Sequence, residues 1–96
     1  MIDVEQYIRD LQCFIMFSGI PTTVDEIQER ILHAETLSMH GNRHYNEWFI
    51  SLLEGKNIEL TQEILNIMTT AWNIFPHQSL GGMSPQEKAR ELYGDR

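Results

Sequence analysis

The sequence has little of what usually assigns a chemistry to a small protein. It holds one cysteine, Cys13, so an internal disulfide is excluded, and the apolar stripe around it predicts a buried thiol in a reducing cytosol. No apolar run approaches the roughly 20 residues of a membrane-spanning helix, so no membrane association is expected. The first residues are acidic where an export signal is basic, which predicts a cytoplasmic protein.

Basic side chains are also scarce. Seven lysines and arginines stand against fourteen acids, which gives a net charge of −7. A surface of this sign repels phosphate backbones, so direct nucleic-acid binding is not expected. The same charge favours a partner protein with a basic face, including one that itself binds nucleic acid.

Signatures of catalysis are missing from the sequence as well. Gly81 and Gly82 follow a predicted helix with no lysine motif behind them, so they do not form a phosphate-binding loop. There is no Gly-x-Ser-x-Gly elbow, and the acids cluster at predicted helix starts, where capping and the helix dipole explain them. We therefore expect no enzymatic activity and no cofactor.

What the sequence does contain is helical periodicity. The length of 96 residues suits a single domain, residues 1–96, and a hydrophobic content of 42% suits a folding chain. Apolar positions recur at helical spacing, and no segment alternates long enough to predict a strand. The predicted helices are 3–18, 23 to about 39, 43–54, 61–75 and a short one after Ser84. The predicted fold class is an all-α bundle of four to five short helices.

Cap and turn residues separate these helices. Two capping boxes are predicted, at Thr23–Glu26 and at Ser84–Glu87, and Glu26 is also placed to pair with Arg30 one turn on. A positive backbone φ or the end of a helix is expected at the glycines between helices: Gly19, Gly41-Asn42, Gly55, Gly81-Gly82 and Gly94. Inward-facing side chains are expected at Cys13, Met16 and Phe17 in the first helix, at Ala89, Leu92 and Tyr93 in the last, and at Leu80 before it.

One segment has the residue types of a metal site. On a continuous helix, His40, His44 and Glu47 would share a face and could bind zinc. Gly41-Asn42 is predicted to break the helix between the two histidines, however, and Arg43 adds a positive charge. Surface histidines are therefore the expectation, and a metal-binding helical domain is an alternative.

Aromatic and methionine side chains exceed what so small a core is expected to hide. Helical spacing predicts core packing for most of them, and any remainder would form an interaction surface. His77 is expected to fix its loop by bonding a backbone carbonyl, and His33 to be partly buried and hydrogen-bonded. The interface candidates are Trp48, Trp72, Phe75, His77 and Leu80.

The segment 72–87, Trp-Asn-Ile-Phe-Pro-His-Gln-Ser-Leu-Gly-Gly-Met-Ser-Pro-Gln-Glu, carries two resemblances. It is similar to the tail that follows the catalytic core of DDE-type transposases and integrases. Its part from Leu80 to Glu87 also resembles the C-terminal toxin-binding domain of Xre/MbcA/ParS-type antitoxins. Both resemblances imply a bacterial, phage or mobile-element setting, the second also implies docking on a partner protein, and neither implies catalysis by this chain.

These observations favour a small acidic interaction module that binds a partner protein through an apolar helical face. An alternative is an acidic decoy that occupies the basic nucleic-acid-binding surface of a larger protein. Its complex should weaken steeply with salt, whereas an apolar interface should not. A homodimer is a further alternative for the apolar face.

Overall fold

Helices follow one another along the whole of the described chain. The computed structural model describes residues 3–34 and 41–93. Its α-helices are α1 (Val4–Ser18), α2 (Val24–Leu32), α3 (Gly41–Gly55), α4 (Gln62–Ile74) and α5 (Pro85–Tyr93), with a 3₁₀ turn at Gln78–Leu80. Within those residues no β-strand forms, and one isolated antiparallel bridge joins His77 to Met83. The predicted all-α fold class is confirmed.

Helix α4 lies at the centre of the fold. The Tyr7 hydroxyl of α1 donates to the Ile67 carbonyl, and the Tyr45 hydroxyl of α3 donates to the next carbonyl, Met68, at 3.0 Å. Burial raises the pKa of both tyrosines well above their ordinary value, so both hydroxyls are donors at any physiological pH. Two neighbouring helices are thus attached to adjacent residues of the same central helix.

The hydrophobic core is formed by residues from every helix except α5. Its largest fully buried apolar side chains come from the predicted stripes and pack in one cluster. They are Leu11, Ile27, Ile31, Phe49, Leu53, Met68 and Phe75. Helix α5 packs against α4 but buries none of its own residues completely.

Side chains cap four of the helices as elementary chemistry requires. Asp3 and Thr61 accept amide hydrogens at the starts of α1 and α4. At the start of α5 the box is reciprocal: Glu87 N–H donates to Ser84 Oγ and Ser84 N–H donates to Glu87 Oε1, each at 3.1 Å. At α2 the box is half formed, because Thr23 caps the Glu26 amide whereas Glu26 accepts from the hydroxyl of Thr22 at 2.6 Å instead.

The glycine predictions are confirmed at Gly19, Gly81 and Gly82 and for the end of α3 at Gly55, but not for the break at Gly41-Asn42. Gly19 closes α1 with φ 72°, and Gly81 and Gly82 have φ 69° and 85°. Gly41 and Asn42 do not form a break between helices but belong to the first turn of α3. Gly55 is the last residue of α3, and it is Asn57 beyond it that takes positive φ, at 56°. Gly94 lies outside the described residues.

Helix α2 differs from its prediction in length and in its surface contacts. It ends at Leu32 rather than near Met39, and residues 35–40 lie outside the described part of the chain. The expected Glu26–Arg30 pair does not form, because the Arg30 guanidinium lies over the Trp48 ring, 4.2 Å from its centroid. His33 is hydrogen-bonded as predicted but exposed.

The orientation of two helices differs from prediction. In α1, Cys13, Met16 and Phe17 are exposed rather than buried, because the core occupies the opposite side of the helix. In α5, Ala89, Leu92 and Tyr93 are likewise exposed. Leu80 does not plug the core but is half-buried on the 3₁₀ turn. None of the described helices has the length and apolarity to cross a bilayer.

Candidate interaction surface

Two of the predicted interface aromatics, Trp48 and Trp72, are connected through the ring of Tyr45 between α3 and α4. Tyr45 lies 5.6 Å from Trp72 and 6.5 Å from Trp48, measured between ring centroids. Trp48 and Trp72 are half-buried against the core, whereas Phe75 is 1% exposed and meets the edge of Tyr7. Phe75 therefore belongs to the interior, and each tryptophan keeps part of its ring at the surface.

His77 fixes the loop between α4 and α5. Its ring is fully buried and meets the Trp72 ring edge-on at 4.6 Å, and Nε2 donates to the Trp72 carbonyl at 2.7 Å. Its backbone N–H donates to the Met83 carbonyl, and its carbonyl accepts from the Gly82 amide. Burial lowers the pKa of the imidazole, so the neutral form is the one that fits. The prediction of a loop-fixing bond to a backbone carbonyl is confirmed, and the ring is not accessible to a partner.

His33 makes a second connection to this loop. Its Nδ1 lies 3.0 Å from Gln78 Oε1, and its Nε2 lies 3.2 Å from Glu29 Oε2. The end of α2 is thereby tied to the 3₁₀ turn across 45 residues of sequence. His33 and His77 therefore both hold the loop between α4 and α5 in place through hydrogen bonds.

The candidate metal ligands are not brought together by any described contact. His44 is exposed, and Glu47 accepts a hydrogen bond from Arg43 Nε at 2.9 Å. His40 lies outside the described residues, so the trio itself is not tested. Among the residues that are described, no three His, Cys, Asp or Glu side chains are grouped so as to hold a metal ion.

An apolar surface that the sequence pattern did not predict lies on the outer side of α1. Cys13, Met16 and Phe17 follow one another at i, i+3 and i+4, so they share one face of the last two turns. Phe17 is 89% exposed and Met16 is 77% exposed. We call these three residues the α1 patch. Its signal was present in the sequence, since α1 carries more apolar side chains than one buried stripe needs.

A groove adjoins this patch where the chain passes from α1 to α2. Its apolar lining is Ile15, Met16 and Val24, and its polar lining includes Gln12, Thr22 and Asp25. We call it the α1–α2 groove. Met16 belongs to both the patch and the groove, whereas Ile15 and Phe17 are two residues apart on α1 and project to nearly opposite sides of the helix. A second depression beside it is lined by residues that include Pro21 and Glu26.

The outer end of α5 also presents apolar side chains. Leu92 is 67% exposed and Tyr93 is 74% exposed. This pair adjoins residues 94–96, which lie outside the described residues, so its full surroundings are not defined. The α1 patch, by contrast, lies within the continuous described range 3–34.

Comparison with known proteins adds no assignment. No family model, curated protein or solved structure matches this chain. The resemblance of residues 72–87 to transposase and antitoxin segments therefore stays a prediction.

Proposed function

We propose that this chain is a non-enzymatic interaction module that binds a partner protein through the α1 patch. The observation that carries the proposal is the exposure of Phe17 and Met16 on the side of α1 facing away from the core. Exposed apolar surface of this kind is typical of binding sites, and aromatic and methionine side chains are enriched at the centres of interfaces. The setting we propose is bacterial, phage or mobile-element, on the resemblance of residues 72–87.

The position of the binding surface departs from the sequence hypothesis. Phe75 and His77 are interior residues, so they are not available to touch a partner. Trp48 keeps an exposed part, but Arg30 lies over its ring. No side chain in the described ranges covers the α1 patch in this way, since Phe17 is 89% exposed and Met16 is 77% exposed.

The decoy alternative receives less support. It requires a continuous acidic face, yet two of the acids on α2 are engaged locally: Glu26 accepts from Thr22, and Glu29 lies 3.2 Å from the His33 ring. Arg30 and His33 lie at the end of the same helix. A salt titration of any complex separates the two, since an interface dominated by the patch should keep its affinity as ionic strength rises.

A site-specific cross-link tests the proposal. A photoreactive phenylalanine analogue at position 17 should yield one covalent adduct with a bacterial protein in lysate, because this side chain would lie at the centre of the interface. The matched control carries the same analogue at Leu92, which is comparably exposed on another helix. If both positions give the same adducts, or neither gives any, the α1 patch is not the binding surface.

A further inference from the structure

We propose that the hydrogen bonds of His33 to Glu29 and Gln78 form a proton-dependent bridge, which holds the 3₁₀ turn on the end of α2 when the imidazole is charged. We call this contact the His33 bridge. It joins residues 45 positions apart in the sequence, so it connects α2 to the loop between α4 and α5. When the ring loses its proton, the connection to the turn is weakened.

The geometry of the His33 bridge requires two donors from one ring. Nδ1 of His33 lies 3.0 Å from Oε1 of Gln78, and Nε2 lies 3.2 Å from Oε2 of Glu29. A neutral imidazole carries one N–H group and can donate only one of these bonds, whereas the imidazolium donates both. In the neutral ring the single proton favours the carboxylate, because a charged acceptor gives the stronger bond. The bond to Gln78 is therefore the one that is lost.

The position of His33 on α2 favours the charged ring as well. His33 is the C-terminal cap of this helix, and its backbone N–H donates to the Glu29 carbonyl at 3.1 Å. The last carbonyls of a helix carry partial negative charge, so a cation beside them is stabilised. The Glu29 carboxylate adds a full negative charge one turn earlier on the same side of the helix.

The other charged and titratable groups near the ring come from α2 and from the loop. On α2, Arg30 has the sign that would repel a charged imidazole, but its guanidinium lies over the Trp48 ring. On the loop, Gln78 is uncharged, and the imidazole of its neighbour His77 is fully buried. Within the described ranges, Glu29 is thus the charged group that contacts the His33 ring.

The His33 bridge acts on a turn that is otherwise shaped by short-range bonds. The Leu80 amide donates to the His77 carbonyl at 3.1 Å, and the Gly81 amide donates to the Gln78 carbonyl at 3.0 Å. The side chain of Gln78 is at the same time bonded to His33. Loss of that bond removes one support of the turn, so the amides of Leu80 and Gly81 should open to solvent more often.

The exposure of the His33 bridge sets the size and the speed of its response. The side chain of His33 is 61% exposed and that of Glu29 is 67% exposed. An exposed bond of this kind changes an opening equilibrium by about two- to fivefold. Because the ring is in contact with water, it can gain or lose its proton without any opening of the fold. Histidine side chains change charge between about pH 5 and pH 8, which is the range in which the turn should respond.

Hydrogen exchange of the turn amides tests the proposal on the full chain. The variant is His33→Gln, which keeps a hydrogen-bonding side chain but does not titrate. Exchange rates of the Leu80 and Gly81 amides are compared between variant and wild type at the same pH and at low salt. The intrinsic exchange rates and the other titrating groups, His77 included, are common to both proteins. At about pH 5.5 the variant should exchange about two- to fivefold faster, and at about pH 8 the two rates should be nearly equal.

Gln78→Ala provides the matched background for this comparison. It removes the acceptor at Nδ1 of His33 and leaves Glu29 in place. In this background, His33→Gln should change the exchange of the turn amides at neither pH. Both substituted side chains are exposed, so the fold should tolerate the changes, and circular dichroism checks that it does. Without any substitution, the side-chain amide resonances of Gln78 should move with the titration of the His33 ring.

Four outcomes would overturn the proposal. A rate ratio that is the same at both pH values shows that the contact does not depend on the proton. A ratio that is larger at about pH 8 shows that the neutral ring is the bonded form, with the Gln78 amide turned so that it donates to Nδ1. A pH-dependent ratio that persists in Gln78→Ala shows that His33 acts on the turn by another route. Gln78 resonances that stay in place while the His33 ring titrates exclude the bond itself.

Discussion

Protonation of His77 should destabilise the fold, and the structure gives the sign of the effect. The neutral ring is buried, and its Nε2 donates to the Trp72 carbonyl. Burial lowers the pKa of His77 in the folded state, so in the acid range the unfolded chain binds more protons than the folded one. The stabilisation is therefore complete above the unfolded value of about 6.5 and is lost as the pH falls through the folded-state pKa.

The largest size of the effect follows from linkage. One proton taken up on unfolding changes the free energy of unfolding by at most about 1.4 kcal/mol per pH unit. Between the ordinary histidine pKa and the lowered one, the wild-type protein should lose stability at close to that slope. The pH dependence of the wild type is the sum over all ionisable groups of the chain, so the wild-type curve alone does not isolate this residue.

The comparison that isolates it is His77→Gln. Glutamine keeps an amide donor for the Trp72 carbonyl but does not titrate, and every other group is common to both proteins. Urea unfolding followed by tryptophan fluorescence, at pH values from about 8 to about 5, gives the two free energies of unfolding. The advantage of the wild type over the variant should shrink below about pH 6.5. A difference that stays constant across this range would refute the assignment of a buried neutral imidazole.

Three further predictions concern single side chains. Phe75→Ala should lower the free energy of unfolding by about 3–5 kcal/mol, because it opens a cavity in the core. Phe17→Ala should change the free energy of unfolding by less than about 0.5 kcal/mol, because its side chain is exposed. Thermal unfolding of the two variants measures the difference. Ser84→Ala removes the cap of α5 and should cost about 1 kcal/mol in urea unfolding, and Ser84→Asp should restore most of it. Tyr45→Phe should cost about 1 kcal/mol through the lost bond to the Met68 carbonyl, and an unchanged midpoint would contradict that bond.

Local sequence signals predicted the local structure well. The predicted capping residues Thr23 and Ser84 both cap their helices, although the Thr23 box is only half formed, because a cap depends on residues within one turn of each other. Gly19 and Gly81 take the positive φ expected of them for the same reason. The bond of His77 to a backbone carbonyl is local as well, because Trp72 lies five residues earlier, near the end of α4.

Orientation was predicted less well, because it depends on residues far away in the sequence. The helical periodicity showed that α1 and α5 carry apolar side chains. It could not show which of two apolar sides of one helix faces the core. In α1, Tyr7 and Leu11 face α4 and the core, so Met16 and Phe17 are turned to solvent. Arg30 follows the same rule, since the aromatic ring that it contacts comes from another helix.

The candidate site was missed for a related reason. The interface candidates were chosen for their residue type, and type alone cannot separate a buried aromatic such as Phe75 from an exposed one such as Phe17. The excess of apolar side chains was inferred correctly from composition. Its location was not, because the apolar side chains of several helices compete for one core and only the packing decides which are excluded.

The exposed side chains of the α1 patch contribute little to the stability of the fold. A fully buried phenylalanine contributes roughly 1.5–3 kcal/mol relative to an exposed one, and Phe17 has gained little of this on folding because it lies almost entirely in water. That free energy is still available to a partner. Removing the side chain should therefore weaken binding without unfolding the protein.

The size of the patch also limits the affinity that it can supply. A partner that covered roughly 400 Å² would gain on the order of 10 kcal/mol from apolar burial, which is comparable with the cost of association of about 4–15 kcal/mol. The patch alone therefore predicts dissociation constants in the micromolar range or weaker. Nanomolar binding that Phe17→Ser abolishes would therefore require contacts of the partner beyond the α1 patch.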